Sequence, residues 1–261
     1  MNLVIGFILG LILSLAGYLA HALTFRGAIA AGIIGGIIFA LGGISPAILL
    51  ISFFVSSSAL SLVGRSRKIA LATSFEKGSQ RDQGQVLANG SIAAGLSLIL
   101  ALTEMDIWML GIAGALAAVT ADTWSTELGV LARRKPRLIT SGAQVEPGTS
   151  GGITLEGTMA SILGALLIGL IAALLLGQRN VALVVTLAGT SGAVVDSILG
   201  ASVQAMYYCA NCEKATERHP YHSCGTRTIH TQGWLWMSND LVNFVSSFVG
   251  AMLSMLFWLV L

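Results

Sequence analysis

The chain has 261 residues, 55% of them hydrophobic and only 10% charged, with a formal net charge of +2. Soluble domains carry about 25% charged residues, so this composition excludes an ordinary soluble enzyme and points to a membrane protein. No nucleic-acid partner is expected.

Apolar stretches near or above the roughly 20 residues that a bilayer requires recur along almost the whole length. They predict an all-α polytopic bundle of eight spans, near 2–23, 27–43, 45–63, 86–103, 107–131, 154–176, 180–203 and 236–261. The first span has no basic segment before it and a second follows at once, so it reads as retained and not as a cleaved signal. Gly35, Gly36, Gly42 and Gly43 thin the second and third spans, and Pro46 allows only a tight connection between them. A re-entrant pair is the competing reading there.

Polar segments at 64–85, 132–153 and 204–235 are the remaining long breaks, so the chain reads as a single transmembrane domain, 1–261, with three loops. Arg65, Arg67, Lys68, Lys77 and Arg81 occupy the first loop, Arg133, Arg134, Lys135 and Arg137 the second, and Lys214, Arg218 and Arg227 the third. Eight spans put all three loops on one side together with Arg26, and leave Arg179 opposite. The positive-inside rule makes the basic side cytoplasmic and both termini external. A basic loop of this kind also serves simply to hold orientation.

Asp122, Glu127, Asp196 and Asp240 fall within or at the ends of predicted spans, near the basic side. A carboxylate facing lipid is costly, so such residues are functional candidates by default, against the plainer reading of helix-end acids reaching water. At 100° per residue, Asp122 and Glu127 point about 140° apart. Either that helix has a broad polar face, with Thr123, Ser125 and Thr126, or it breaks near Gly129 around a water-filled cavity. In the seventh span Gly189, Gly192, Asp196 and Gly200 follow at helical spacing, which lets a neighbouring helix or a ligand approach the carboxylate. The last span opens Ser238-Asn239-Asp240-Leu241-Val242-Asn243, with Asp240 and Asn243 on one face. Clustered carboxylates beside cationic loops suit a divalent metal and a polyanion, because Mg²⁺ takes one or two carboxylates and completes its shell with phosphate oxygens and water. A proton or ion relay would use the same acids.

The second loop runs through Pro147-Gly148-Thr149-Ser150-Gly151-Gly152 into a helix that begins near Thr154. Glycines free backbone N–H groups for an anion and the helix start adds a favourable dipole, which makes the loop a phosphate-cradle candidate. No G-x-x-x-x-G-K-[ST] occurs, which disfavours a P-loop NTPase. In the third loop Cys209 and Cys212, followed by His219, His222 and Cys224, offer four soft or borderline ligands to a structural zinc. A disulfide or unliganded thiols are the alternatives, the first fitting poorly with a reduced cytoplasm. Gln85 and Asn89, one turn apart where the fourth span begins, either orient a head group or bond to neighbouring helices.

Taken in order, Gln85-Val86-Leu87-Ala88-Asn89-Gly90, Thr120 to Trp124 with Glu127-Leu128-Gly129, Pro147 to Gly152, Asp196-Ser197-Ile198-Leu199-Gly200, the Cys209 to Cys224 knuckle and Asn239 to Asn243 resemble the membrane proteins of domain-of-unknown-function 92. That family includes plastid phytyl-phosphate kinases and animal transmembrane protein 19. Ser91 and Ser150 depart from the residues expected there, a glycine and an asparagine, without removing obvious chemistry. The resemblance implies an integral-membrane kinase that passes a phosphoryl group from a nucleoside triphosphate, CTP by preference, to an isoprenoid monophosphate such as phytyl phosphate. On that reading Asp122, Glu127, Asp196 and Asp240 serve Mg²⁺, Arg133, Arg134 and Arg137 offset phosphate charge, Gly148, Thr149, Gly151 and Gly152 cradle phosphates, and Asn89 and Asn243 position the head group. Partners are then the isoprenoid lipid, the nucleotide and membrane lipid, with a homo-oligomer left open. The alternatives are a prenol kinase, a cytidylyltransferase making a CDP-lipid, an ion-coupled transporter or lipid scramblase, and a non-catalytic zinc-bearing adaptor.

Overall fold

The structure is a computed structural model that describes residues 3–64, 68 and 80–260. Its eight described helices are α1 (Leu3–Leu19), α2 (Phe25–Ile37), α3 (Ile44–Leu62), α4 (Gln83–Thr103), α5 (Ile107–Gly129), α6 (Leu155–Leu176), α7 (Asn180–Ser202) and α8 (Asn239–Val260). A π-turn, Ile38–Gly42, extends α2, and Gly43 at φ 81° makes the sharp reversal into α3. Seven helices are long and apolar enough to cross a membrane, counting α2 with its π extension as Phe25–Gly42, whereas α1 is shorter at 17 residues. Spans two and three are therefore full-length helices by length and composition, and a re-entrant pair is not needed. Leucines, isoleucines and valines on the outer faces of the helices other than α5 are exposed, as a lipid-facing surface requires.

Among the described residues, five short strands lie between the helices. Strands β1 (Arg137–Leu138) and β2 (Gly152–Ile153) pair antiparallel, and β3 (Met206–Cys209) lies between β4 (Lys214–Thr216) and β5 (Ile229–Gln232). The predominantly helical expectation thus gains two small sheets, both in the loops at one end of the bundle. At that same end Leu23 pairs with Arg81, tying the α1–α2 turn to the segment before α4. Of the first basic loop, Arg65, Arg67 and Lys77 lie outside the described residues.

Helix α5 is the axis of the bundle. Every residue from Met109 to Ala121 is buried, and α3, α4, α6, α7 and α8 all pack around it. Apolar surface cannot drive helices together in lipid as it does in water, so close backbone approach through small residues takes over. A Cβ on Gly189 would stand 2.6 Å from the Ala117 methyl, and one on Gly192 would stand 2.6 Å from that of Ala118 and 3.0 Å from the Ser246 carbonyl oxygen. Gly114 and Gly250 face each other across α5 and α8 with no room for a side chain on either. The Ser246 hydroxyl donates 2.9 Å to the Gly192 carbonyl, joining α8 to α7 beside this contact. Helices α5 and α7 run parallel, and one turn beyond Ala118 and Gly192 stand Asp122 and Asp196. The small-residue contact therefore sets the register that brings the two carboxyls together.

Gly192→Ala should destabilise the bundle by about 1–3 kcal/mol through overpacking, whereas Gly95→Ala, whose new Cβ meets nothing within 4 Å, should be neutral or slightly stabilising. Thermal unfolding of the two variants in detergent checks this, and equal midpoints would refute the close-packing account.

Candidate active site at one end of the bundle

A cavity of about 380 Å³ opens among the ends of α3 to α8. It is lined by Asp122, Thr123, Ser125, Thr126 and Glu127 from α5, Asp196 and Ser197 from α7, Asn239 and Asn243 from α8, and Gln85 and Asn89 from α4. Residues 147–152, Thr154 and Gly157 close another side, and Lys68, Arg81 and Glu217 complete it. Helix α5 reaches Gly129 without a break. Of the two options for Asp122 and Glu127, the broad polar face is the one adopted, because the cavity wraps around the end of a central helix.

Asp122 and Asp196 lie within hydrogen-bonding reach of each other, and the Glu217 carboxylate is close enough for its charge to act on Asp196. Asp196 Oδ2 and Asn89 Oδ1 are buried with no hydrogen-bond partner among the described residues. Buried polar oxygens left in this state need a ligand or solvent to complete them. Asp122 and Asp196, lining the cavity with these oxygens and with Glu217 nearby, are hard oxygen donors of the kind that Mg²⁺ takes and a soft metal does not.

Glu127 is engaged differently. Its Oε2 lies 2.5 Å from Lys68 Nζ, which also donates 2.8 Å to the Leu60 carbonyl at the end of α3. Arg81 donates from Nη1 to the Ser58 hydroxyl at 2.9 Å and covers the rings of Phe53 and Phe54 at 5.7 and 5.4 Å. Burial draws the Arg81 guanidinium below its usual value, and the Glu127 charge opposes that. Arg133, Arg134 and Arg137 are exposed and do not line the cavity. Arg137 instead donates 2.7 Å to the Gly142 carbonyl within its own hairpin, because the chain turns away from the helix ends after Gly129. Among the described residues, the cations that line the cavity are Lys68 and Arg81 from the first basic loop, not the arginines of the second. Asp240 lies beside the site in the first turn of α8, but Asn239 and Asn243 are the residues of that turn that line it.

The glycine loop is held by its hairpin, with Ile139 donating to the Gly151 carbonyl at 3.0 Å. Gly148 and Gly151 adopt φ of 89° and 73°, and a Cβ on Gly151 would strike the backbone of Ala201 in α7. Gly200 is likewise pressed against Ser150 and Gly151. Thr154 caps α6 by accepting from the Gly157 amide at 3.0 Å, so the positive end of the α6 dipole faces the cavity. At α4, Asp82 and Gln85 form a reciprocal capping box, which assigns Gln85 a structural role as well as a place in the lining.

Two residues missed on sequence connect the loops. Gln204, 1% exposed, accepts from the Ser150 hydroxyl at 2.8 Å and donates to Glu217 Oε1 at 2.7 Å. It thereby links the glycine loop to the three-stranded sheet. The partners lie 54 and 13 residues away, and nothing local in the sequence marks them. In that sheet Cys209, Cys212, His222 and Cys224 cluster, while His219 stacks on Tyr207 at 4.8 Å and stays apart. The Thr226 hydroxyl and then His222 hold the Cys224 thiol down at about 5, while Cys212, bonded to Cys224 first and also facing Cys209, is pushed up to about 11.

Comparison with known proteins shows the family. Residues 8–251 match the family model described as integral membrane protein DUF92. An uncharacterised membrane protein of Methanocaldococcus jannaschii is 41% identical over 182 residues, 70% of this chain and 75% of that one. Protein PGR of Arabidopsis thaliana is 33% identical over 271 residues, covering 94% and 92%. The chloroplastic protein VTE6 of the same plant is 26% identical over 245 residues, covering 91% of this chain and 66% of its own. No solved structure matches.

Gln204→Leu removes the bridge between the loops and should lower stability by about 1–3 kcal/mol. Amide hydrogen exchange across 147–153 should accelerate at the same time, and unchanged protection there would show that the loop is held by other contacts.

Proposed function

The chain belongs to the DUF92 family of integral membrane proteins, and from that premise we propose that it is a membrane-embedded kinase transferring a phosphoryl group from CTP to an isoprenoid monophosphate. The observation that carries the proposal is the convergence in one cavity of Asp122, Asp196 and Glu217 with Lys68, Arg81 and the 147–152 loop. Such a set suits two phosphate groups and a divalent cation, and its position at the ends of hydrophobic helices suits a lipid whose tail stays in the bilayer. The one-sided distribution of basic loops supports a cytoplasmic opening, where the nucleotide is available.

In the reaction, an oxygen of the acceptor monophosphate attacks the γ-phosphorus of the nucleotide. The bond from that phosphorus to the β–γ bridging oxygen breaks, and the products are an isoprenyl diphosphate and CDP. The acceptor is already anionic and needs little help from a base, so catalysis is alignment and neutralisation of charge. Asp122 and Asp196, with Glu217, would hold Mg²⁺, which when bound offsets the negative charge of the reacting phosphates. Lys68 and Arg81 draw the phosphates inward, and the pairing of Lys68 with Glu127 keeps its ammonium group oriented. Amides of the glycine loop and the start of α6 bind phosphate oxygens. Asn89 and Asn243 face the head group, the unpartnered Oδ1 of Asn89 accepting from a protonated phosphate oxygen or bound water.

Purified protein in nanodiscs, incubated with CTP, Mg²⁺ and a panel of isoprenyl phosphates, should yield the diphosphates and CDP by mass spectrometry. Asp122→Asn should reduce the rate by about 10²-fold or more, in the range seen when one group stabilising transition-state charge is removed. Retained activity would exclude that carboxylate. Release of pyrophosphate with a CDP-lipid would establish cytidylyl transfer instead, and ion or lipid flux without nucleotide consumption would establish a transporter.

A further inference from the structure

The loop between α7 and α8 folds as three strands of four, three and four residues. Its own ring contacts are few, with Tyr207 stacked on His219 and set edge-on to His230 at 5.5 Å. A unit this small does not bury enough apolar surface to hold a fixed shape, and proteins commonly staple such units with a disulfide or a metal. Yet this loop presents Glu217, directly after β4, to the cavity at a defined position.

The means is visible at the other end of the same strands. Cys209 ends β3, Cys212 follows in the turn to β4, and His222 and Cys224 stand in the loop between β4 and β5. All four ligand atoms lie within 4.8 Å of one another. Cys209 Sγ is 3.6 Å from Cys224 Sγ, and His222 Nδ1 is 3.3 Å from the same sulfur. Tetrahedral ligands at the usual zinc distances, about 2.3 Å for sulfur and 2.0 Å for nitrogen, stand about 3.5–3.8 Å apart. A disulfide would require about 2.05 Å between sulfurs. Left-handed backbone at Glu213 (φ 52°) and Gly225 (φ 80°) turns each pair of ligands inward. The Gly225 amide donates to the His222 carbonyl, and the His222 amide to the Thr226 carbonyl, each at 2.9 Å. Cys209 and His222 are buried, which keeps one side of the cluster dry.

We propose that Cys209, Cys212, His222 and Cys224 bind one Zn²⁺, and that this ion clamps the three-stranded sheet so that Glu217 and its partner Gln204 are held against the cavity. Three thiolates and one imidazole fill a tetrahedral shell, so the ion is structural and takes no substrate. Zinc reaches the active site through the backbone on either side of Glu217, which makes the cluster a positioning element. The placement of Glu217 at a reacting centre rests on the kinase reading above, whereas the zinc itself does not.

Metal analysis of wild-type protein, purified in detergent from zinc-replete cells without chelator or affinity histidines, should find about one zinc per chain. Replacement by Co²⁺ should produce thiolate-to-metal charge-transfer absorption from the folded wild-type protein, a readout that needs no variant. Cys212→Ser and Cys224→Ser should each lower zinc content at least tenfold. Chelation should accelerate hydrogen exchange across 206–232 while α4 to α8 keep their protection. Glu217→Gln should retain zinc and lose phosphoryl transfer. A metal-free wild-type protein, or a Cys209–Cys224 disulfide found by mass spectrometry, would overturn the zinc site. Unchanged exchange after chelation would overturn the clamp. Zinc content is measured without nucleotide or lipid, so its outcome is independent of whether the chain is a kinase.

Discussion

The contact on which the rest depends is the side-by-side packing of α5 with α7 and α8 through glycine, alanine and serine. Gly189 and Gly192 meet Ala117 and Ala118 with no space for larger side chains. In a bilayer this closeness maximises dispersion and allows a serine to bond across to a backbone carbonyl, as Ser246 does to Gly192. One helical turn further on, the same two helices carry Asp122 and Asp196, which therefore meet at a separation fixed by backbone and not by flexible side chains. Such placement is what a metal or phosphate site requires, since small errors in position weaken it sharply.

Bringing like charges together among apolar helices is unfavourable unless cations offset them. The protein supplies Lys68 and Arg81 from the segment between α3 and α4, each tied to α3 by a hydrogen bond. Lys68 bonds to Glu127 as well, leaving Asp122, Asp196 and Glu217 as the acids that face one another. One acid, Glu127, is thus paired with a cation, while the others line the cavity.

Around this centre the described extramembrane loops form a collar. The glycine loop fits against α7 because Gly151 and Gly200 lack side chains, and Gln204 bonds it to the small sheet beyond. Trp234 and Trp236, stacked at 5.2 Å, are exposed just before α8, and exposed aromatic side chains at span ends are common at membrane surfaces. The collar is thus fastened to the helix ends.

By itself the sequence determined the helices, since apolar runs of bilayer length admit few other structures, and it determined the acids worth watching, since carboxylates are rare in such runs. Asp122 and Asp196 were legible for that reason, the 147–152 loop by its glycines, Asn89 and Asn243 through the resemblance, and the cysteine–histidine cluster by its spacing. Tertiary structure alone decided which charges face the cavity. Arg133, Arg134 and Arg137 looked suited to phosphate by nearness in the chain, but the hairpin carries them outward, while Lys68 reaches Glu127 across 59 residues. Gln204 and Glu217 carry no local mark, because their roles arise from hydrogen bonds between separate loops. Periodicity and composition record how each segment meets lipid or water; they do not record how distant segments meet one another.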